Sequence, residues 1–213
     1  MKNLFLIFTL FCLSISGFAQ SEKYEETMTR LTGKILANEN NNSLQTVANE
    51  LEQVLLTETS QWIPAYWIAY CYIHDTFLKK SAAAQDQMLD VADSYLKNAE
   101  EKAGPQNSEI EVMKALSVSG RLSVDPVGRW DEYGMELENL LNAAAVSNPL
   151  NPRVEYIRGM IMFHTPDNFG GGKKVAKPFF ESALKKFDKF KPETAYHPNW
   201  GQAESQYFLS QCN

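Results

Sequence analysis

Three histidines, two cysteines beyond the N-terminal region and one glycine-rich loop are the residues whose types could support chemistry in this chain. His74, His164 and His197 form no His-x3-His pair and no Glu-flanked zinc helix, so a metal site would need ligands converging from distant positions. His74 precedes Asp75, a pairing that can orient an imidazole, but neighbours on a helix point about 100° apart, which leaves surface or capping roles. Cys71 lacks the local signatures of thiol proteases, and there is no Gly-x-Ser-x-Gly elbow. Phe169-Gly170-Gly171-Gly172-Lys173-Lys174 invites a phosphate-loop reading, since glycine-rich backbone at a helix start can cradle anions. Lys174 stands where Ser or Thr would bind magnesium, and no strand precedes the loop. A turn with two solvated lysines is the reading that remains. No catalytic residue, cofactor or metal site is expected, so the chain reads as non-enzymatic.

The elements around these residues follow from composition and spacing. Residues 1–19 read as a signal peptide cleaved after Ala19: Lys2 supplies the positive end, Leu4 to Ile15 the apolar run, and Gly17-Phe18-Ala19 a small-x-small site. Cys12 lies inside that run behind bulky Phe11, which argues against lipid attachment. Without the leader, residues 20–213 form one domain with 19 basic and 26 acidic residues, a formal charge of −7. A net negative chain without a basic cluster argues against nucleic acid and anionic lipid as partners. No apolar run in the mature chain is long enough to span a membrane. The expected location is outside the cytoplasm; a cleavable signal leaves periplasm and full secretion equally open. Cys71 and Cys212 could pair there, but a disulfide needs Cα atoms within about 7 Å, and their separation along the chain argues for free thiols.

Beyond the leader nothing alternates as a strand does. Helical signals are continuous, with helices expected at about 22–37, 43–57, 62–78, 85–103, 108–123, 129–147, 152–164, 173–189 and 199–211. Ser43 and Ser108 are the expected caps of the helices they begin, and Pro152 suits a first helical position, where its missing N–H costs nothing. Trp200 and Tyr207, on the last helix, are expected to cover the apolar face before it.

Four of these helices share a spacing. Val47/Leu51/Val54, Ala92/Leu96/Ala99, Leu137/Leu141/Ala144 and Ala176/Phe180/Ala183 each place small or apolar residues at i, i+4 and i+7, on one helical face. Four such helices, about one hairpin apart, form a repeat array. Leu137, Leu141, Ala144 and Pro149 carry the second-helix pattern of the tetratricopeptide repeat, a helix–turn–helix unit of about 34 residues that this chain resembles over nearly its whole mature length. The first helices fit less well: Trp-x2-Leu-Gly-x2-Tyr is nowhere complete, although Gly159 could be its glycine. The resemblance implies an all-α helical-hairpin solenoid, a tetratricopeptide-like superhelix of about four hairpins with a C-terminal capping helix. A plain helical bundle is the rival architecture. The loop Thr165 to Gly172 is also similar to one in exported tetratricopeptide-like proteins, including a periplasmic component of tripartite uptake systems.

The resemblance further implies that first helices line a concave face. Aligning Tyr70, Leu116 and Gly159 turns Trp67, Cys71, His74 and Asp75, then Met113, Ser117 and Arg121, then Arg153, Tyr156, Met160, Phe163 and His164 toward that groove. On helix 62–78, Tyr66, Tyr70, Ile73 and Phe77 form one stripe that reads as core, whereas Trp67 and Cys71 lie off it. Aromatic and Met-rich surface with a few polar groups suits a protein or peptide partner, or a small apolar ligand. The competing reading is that Trp67, Met113, Met160 and Phe163 pack against neighbouring helices. The expected function is therefore an exported scaffold recognising a protein or peptide through the concave face, with a periplasmic small-ligand carrier or uptake accessory as the alternative.

Overall fold

The computed structural model describes residues 22–38, 42–79 and 81–212. The expected leader and its cleavage site lie outside them. The fold is all-α. Helix α1 spans 22–36, followed by α2 (Gln45–Thr57), α3 (Ile63–Thr76), α4 (Ala82–Ala103), α5 (Ser108–Val124), α6 (Trp130–Ser147), α7 (Pro152–His164), α8 (Lys173–Phe187) and α9 (Gln202–Gln211), with a short 3-10 turn at Asp167–Phe169. No strand occurs among the described residues, and no helix among them is long and apolar enough to cross a membrane.

Local chemistry sets the helix starts. Asn151 accepts from Arg153 N at 3.0 Å, and Pro152 opens α7 as its position predicts. At α5 the cap is Asn107, whose side chain accepts from Glu109 N and Ile110 N. Ser108 is instead the first helical residue, and its hydroxyl donates to Ala144 O on α6 at 2.9 Å, tying two helices together. Ser43 likewise precedes the start of α2 by more than a cap should: Leu44 is the boundary residue, and the Ser43 hydroxyl donates to the Asp75 carboxylate on α3. Ser81 accepts from Ala84 N, so α4 begins three residues earlier than the sequence pattern implied.

The i, i+4, i+7 stripes fall on α2, α4, α6 and α8. Ala92, Leu96 and Ala99, Leu137, Leu141 and Ala144, and Ala176, Phe180 and Ala183 are all buried. In the first set Val47 and Leu51 are buried and Val54 packs on the core from its edge. These faces pair the helices: α3 packs on α4, α5 on α6 and α7 on α8, while α3 touches α5 and α5 touches α7. Successive hairpins are therefore stacked with their first helices side by side. Gly159 permits the close approach of α7 and α8, because a Cβ there would stand 2.7 Å from Phe180 Cε1. In the loop before α8, Gly172 has φ +98° and donates its N–H to Met162 O at 2.8 Å, so the loop is fastened to the end of α7.

The C-terminal end departs from expectation. Helix α9 begins at Gln202, so Trp200 precedes it, and Tyr207 is exposed. The stretch between α8 and α9 turns back instead along the first helices. Tyr196 meets Tyr24 of α1 edge-on at 5.6 Å, which joins the first described helix to the stretch before α9.

Candidate functional site

Residues 190–201 decide what the concave face can do. Trp67 donates its indole N–H to Tyr196 O at 2.8 Å, and Trp200 donates its own to the Tyr66 hydroxyl at 2.7 Å. The Trp200 ring lies between Tyr70 of α3 (5.4 Å) and Tyr156 of α7 (6.0 Å). The middle of the expected groove is thus filled by the protein's own chain. Trp67, Cys71, Met113 and Tyr156 are buried in the core, which corrects the expectation that they line an open surface. Burial pushes the Cys71 thiol well above its ordinary range, so it is an inert core residue, and both Cys71 and Cys212 are free.

Arg153 and Arg121 also leave the expected groove. Arg153 is fully buried: its Nη1 donates to Glu109 Oε1 at 2.9 Å, and its guanidinium is enclosed by the rings of Phe190 (4.7 Å), Trp200 (5.3 Å) and Phe187 (5.8 Å). Its Nε and Nη2 have no hydrogen-bond partner. Burial pushes the Glu109 carboxyl up, and Arg153, Tyr66 and Asn151 pull it back. Arg121 reaches across to α4, where its Nη2 contacts Asp90 at 2.8 Å and also Asp93. Ser117 bonds to the same Asp93. These two belong to an inter-helix ion-pair network.

Past Trp200, at the C-terminal ends of the first helices, four expected groove residues remain partly or wholly open. The Tyr156 hydroxyl contacts Met160 Sδ at 3.1 Å, and half-buried Phe163 packs on Phe208 at 5.1 Å beside exposed His164. On α3, His74 Nδ1 stands 3.0 Å from Asp75 Oδ1, a contact that simple helical geometry argued against. Asp75 also accepts from Leu44 N at 2.9 Å and from the Ser43 hydroxyl, so it ties α3 to the start of α2. Burial raises the Asp75 carboxyl, but the hydrogen bonds from His74, Ser43 and Leu44 outweigh it and hold it below the usual range. No cluster of three or more His, Cys, Asp or Glu side chains suited to a metal ion occurs among the described residues.

At the opposite end, beside the N-terminus of α5, a cleft of about 600 Å³ opens to solvent. Trp62, Phe190, His197, Pro192 and Pro198 form its apolar wall, and Lys185, Lys186, Lys189 and Lys191 its basic rim. Trp62 meets His197 edge-on at 6.0 Å, and Phe190 rests against the Arg153 guanidinium. His197 is engaged at both nitrogens, Nδ1 with Thr194 Oγ1 at 2.7 Å and Nε2 with Glu193 at 3.2 Å; burial lowers its pKa below the ordinary imidazole value. The volume falls within the roughly 300–1,000 Å³ of small-molecule sites, and the walls combine ring surface with a rim of lysines. Sequence reading missed this cleft because its members come from four separate segments. The signal available was the density of lysines from Lys173 to Lys191 in an otherwise acidic chain.

No family model matches the chain, so its likeness to the tetratricopeptide repeat rests on residue spacing. A search of curated proteins also gives no match. Among solved structures, the HusA haemophore from Porphyromonas gingivalis superposes with a TM-score of 0.78 at 32% sequence identity, over 89% of this chain and 92% of that one. Identity of that extent, running almost end to end through both chains, shows common descent: this chain belongs to the family of the HusA haemophore.

Proposed function

We propose that this protein is a non-enzymatic, exported carrier of a small apolar ligand, with haem as the cargo. The observation that carries this reading is the 32% identity to a haemophore along nearly the whole of both chains. The fold supports it in a second way. A peptide-binding scaffold would need its concave face open, whereas here Tyr196 and Trp200 occupy the centre of that face. A solvent-open cleft with aromatic residues in its wall and a volume in the range of small-molecule sites stays accessible. Export rests on the leader read at residues 1–19 and on the likeness to a haemophore.

Haemin titration of the purified mature chain tests the reading. Saturable change in the haem absorption band, with matching quenching of tryptophan fluorescence, is expected. A linear response with no saturation, identical to that given by an unrelated acidic protein, would overturn it.

A further inference from the structure

We propose that the cleft beside the N-terminus of α5 is the docking site for the carboxylates of a flat, apolar acid, with Lys185, Lys189 and Lys191 holding the acid groups and Trp62 and Phe190 receiving the ring system. This inference deepens the carrier reading and rests on it. Charge carries the argument first. The protein is net acidic, yet four lysines rim this one cleft. Among the described residues, Lys186 is the member of that rim tied to a carboxylate, by its contact with Glu155 at 2.9 Å. Of the two acidic groups at the cleft, Glu109 is engaged by Arg153 and Asn151, whereas exposed Glu193 keeps its charge, since its partner His197 is held neutral by burial. Lys185, Lys189 and Lys191 against the one exposed carboxylate leave the rim net positive.

Helix stabilisation alone does not account for the arrangement. Lys185 and Lys186 sit in the last turn of α8, where cations favour the helix dipole, but that field fades within the turn, and Lys191 lies past it. The wall is equally specific. Phe190 is held by stacking on Arg153, a fully buried cation that cannot itself follow solvent, so the ring is fixed at the edge of the cleft. Trp62 is fixed in turn by edge-on contacts with Tyr66 at 5.6 Å and His197 at 6.0 Å. Ring surface bordered by unengaged ammonium groups selects for ligands that are planar and apolar at one end and anionic at the other.

The test compares haemin with its dimethyl ester, which keeps the ring and iron but lacks free carboxylates. Both are titrated into the mature protein and into the triple variant Lys185→Ala/Lys189→Ala/Lys191→Ala. All three lysines are exposed, so the variant should keep the wild-type circular dichroism and denaturation midpoint. Haemin affinity should fall about tenfold in the triple variant, as expected for the loss of several exposed ion pairs, and the ester should bind both proteins alike. A second variant, with arginine at the three positions, should restore haemin binding. Equal haemin affinity of wild type and triple variant overturns the docking site and leaves the carrier reading standing. Wild-type protein that binds neither haemin nor its ester removes both.

Discussion

Trp67 and Tyr196 are joined by an indole N–H to backbone O bond of 2.8 Å, and that bond closes the concave face. Trp67→Phe keeps an aromatic ring in the core but leaves the Tyr196 carbonyl without this donor. A buried polar group deprived of its partner costs about 1–3 kcal/mol, so the variant should unfold at lower urea concentration by that amount. Because the bond also holds residues 190–201 in place, limited proteolysis should cut within that segment faster in the variant than in wild type. An unchanged cleavage rate would show that Trp200 alone suffices to hold the segment.

Asp75 contributes stability that depends on pH. Its carboxyl is held below the usual range by His74, Ser43 and Leu44 against the opposing effect of burial. The folded-state value is therefore lower than the unfolded one, near 3.9, and the stabilisation is complete above the unfolded value and lost as pH falls through the folded one. Asp75→Asn should lower stability at neutral pH by about 1.5–3 kcal/mol, the range for hydrogen bonds to a charged acceptor. Urea midpoints of variant and wild type should converge as the pH drops toward 2.

Gly159→Ala tests the close approach of α7 and α8. Alanine favours a helix over glycine by about 1 kcal/mol. The new Cβ would meet Phe180 Cε1 at 2.7 Å, and the Phe180 ring cannot withdraw because it stacks on Phe208 at 5.5 Å. Overpacking of that kind costs about 1–3 kcal/mol, so net destabilisation is expected. Combining it with Phe180→Leu should recover part of the loss, which a double-mutant cycle in urea measures directly.

The Arg153–Glu109 pair should behave as a unit. Arg153→Met would leave the half-buried Glu109 carboxylate at the cleft wall without its cationic partner and cost up to about 3 kcal/mol. Adding Glu109→Gln removes the stranded charge, and most of the stability should return. Thermal or urea denaturation of the two single variants and the double variant reads this as strong non-additivity.

Much of the fold is legible from the second helices. Ala92/Leu96/Ala99 and Ala176/Phe180/Ala183 repeat with the helix period, and periodic small residues state where another helix must lie. The site is less legible because its parts obey no period. Phe190, Tyr196 and Trp200 fall in a proline-punctuated stretch with no regular spacing, so nothing local shows that it returns to cover Trp67 and Tyr70. The two arginines assigned to the groove carry the same ambiguity. Arg153 finds Glu109 at 44 residues' distance and Arg121 finds Asp93 at 28, and neither partner is marked by the arginine's own neighbours. His74 and Asp75 show the reverse error: an angular argument between Cβ positions separated two side chains whose polar ends meet.

The bonds that close the groove span 129 and 134 residues of sequence. Hairpins built from neighbouring helices can form early, since their contacts are local, but the latch must wait for distant partners. Until Tyr196 and Trp200 arrive, the Trp67 indole N–H and the Tyr66 hydroxyl lack the partners they hold in the folded chain. Docking of residues 190–201 is therefore the last stage of folding, and a chain truncated before Tyr196 is expected to keep an unfinished aromatic face on α3.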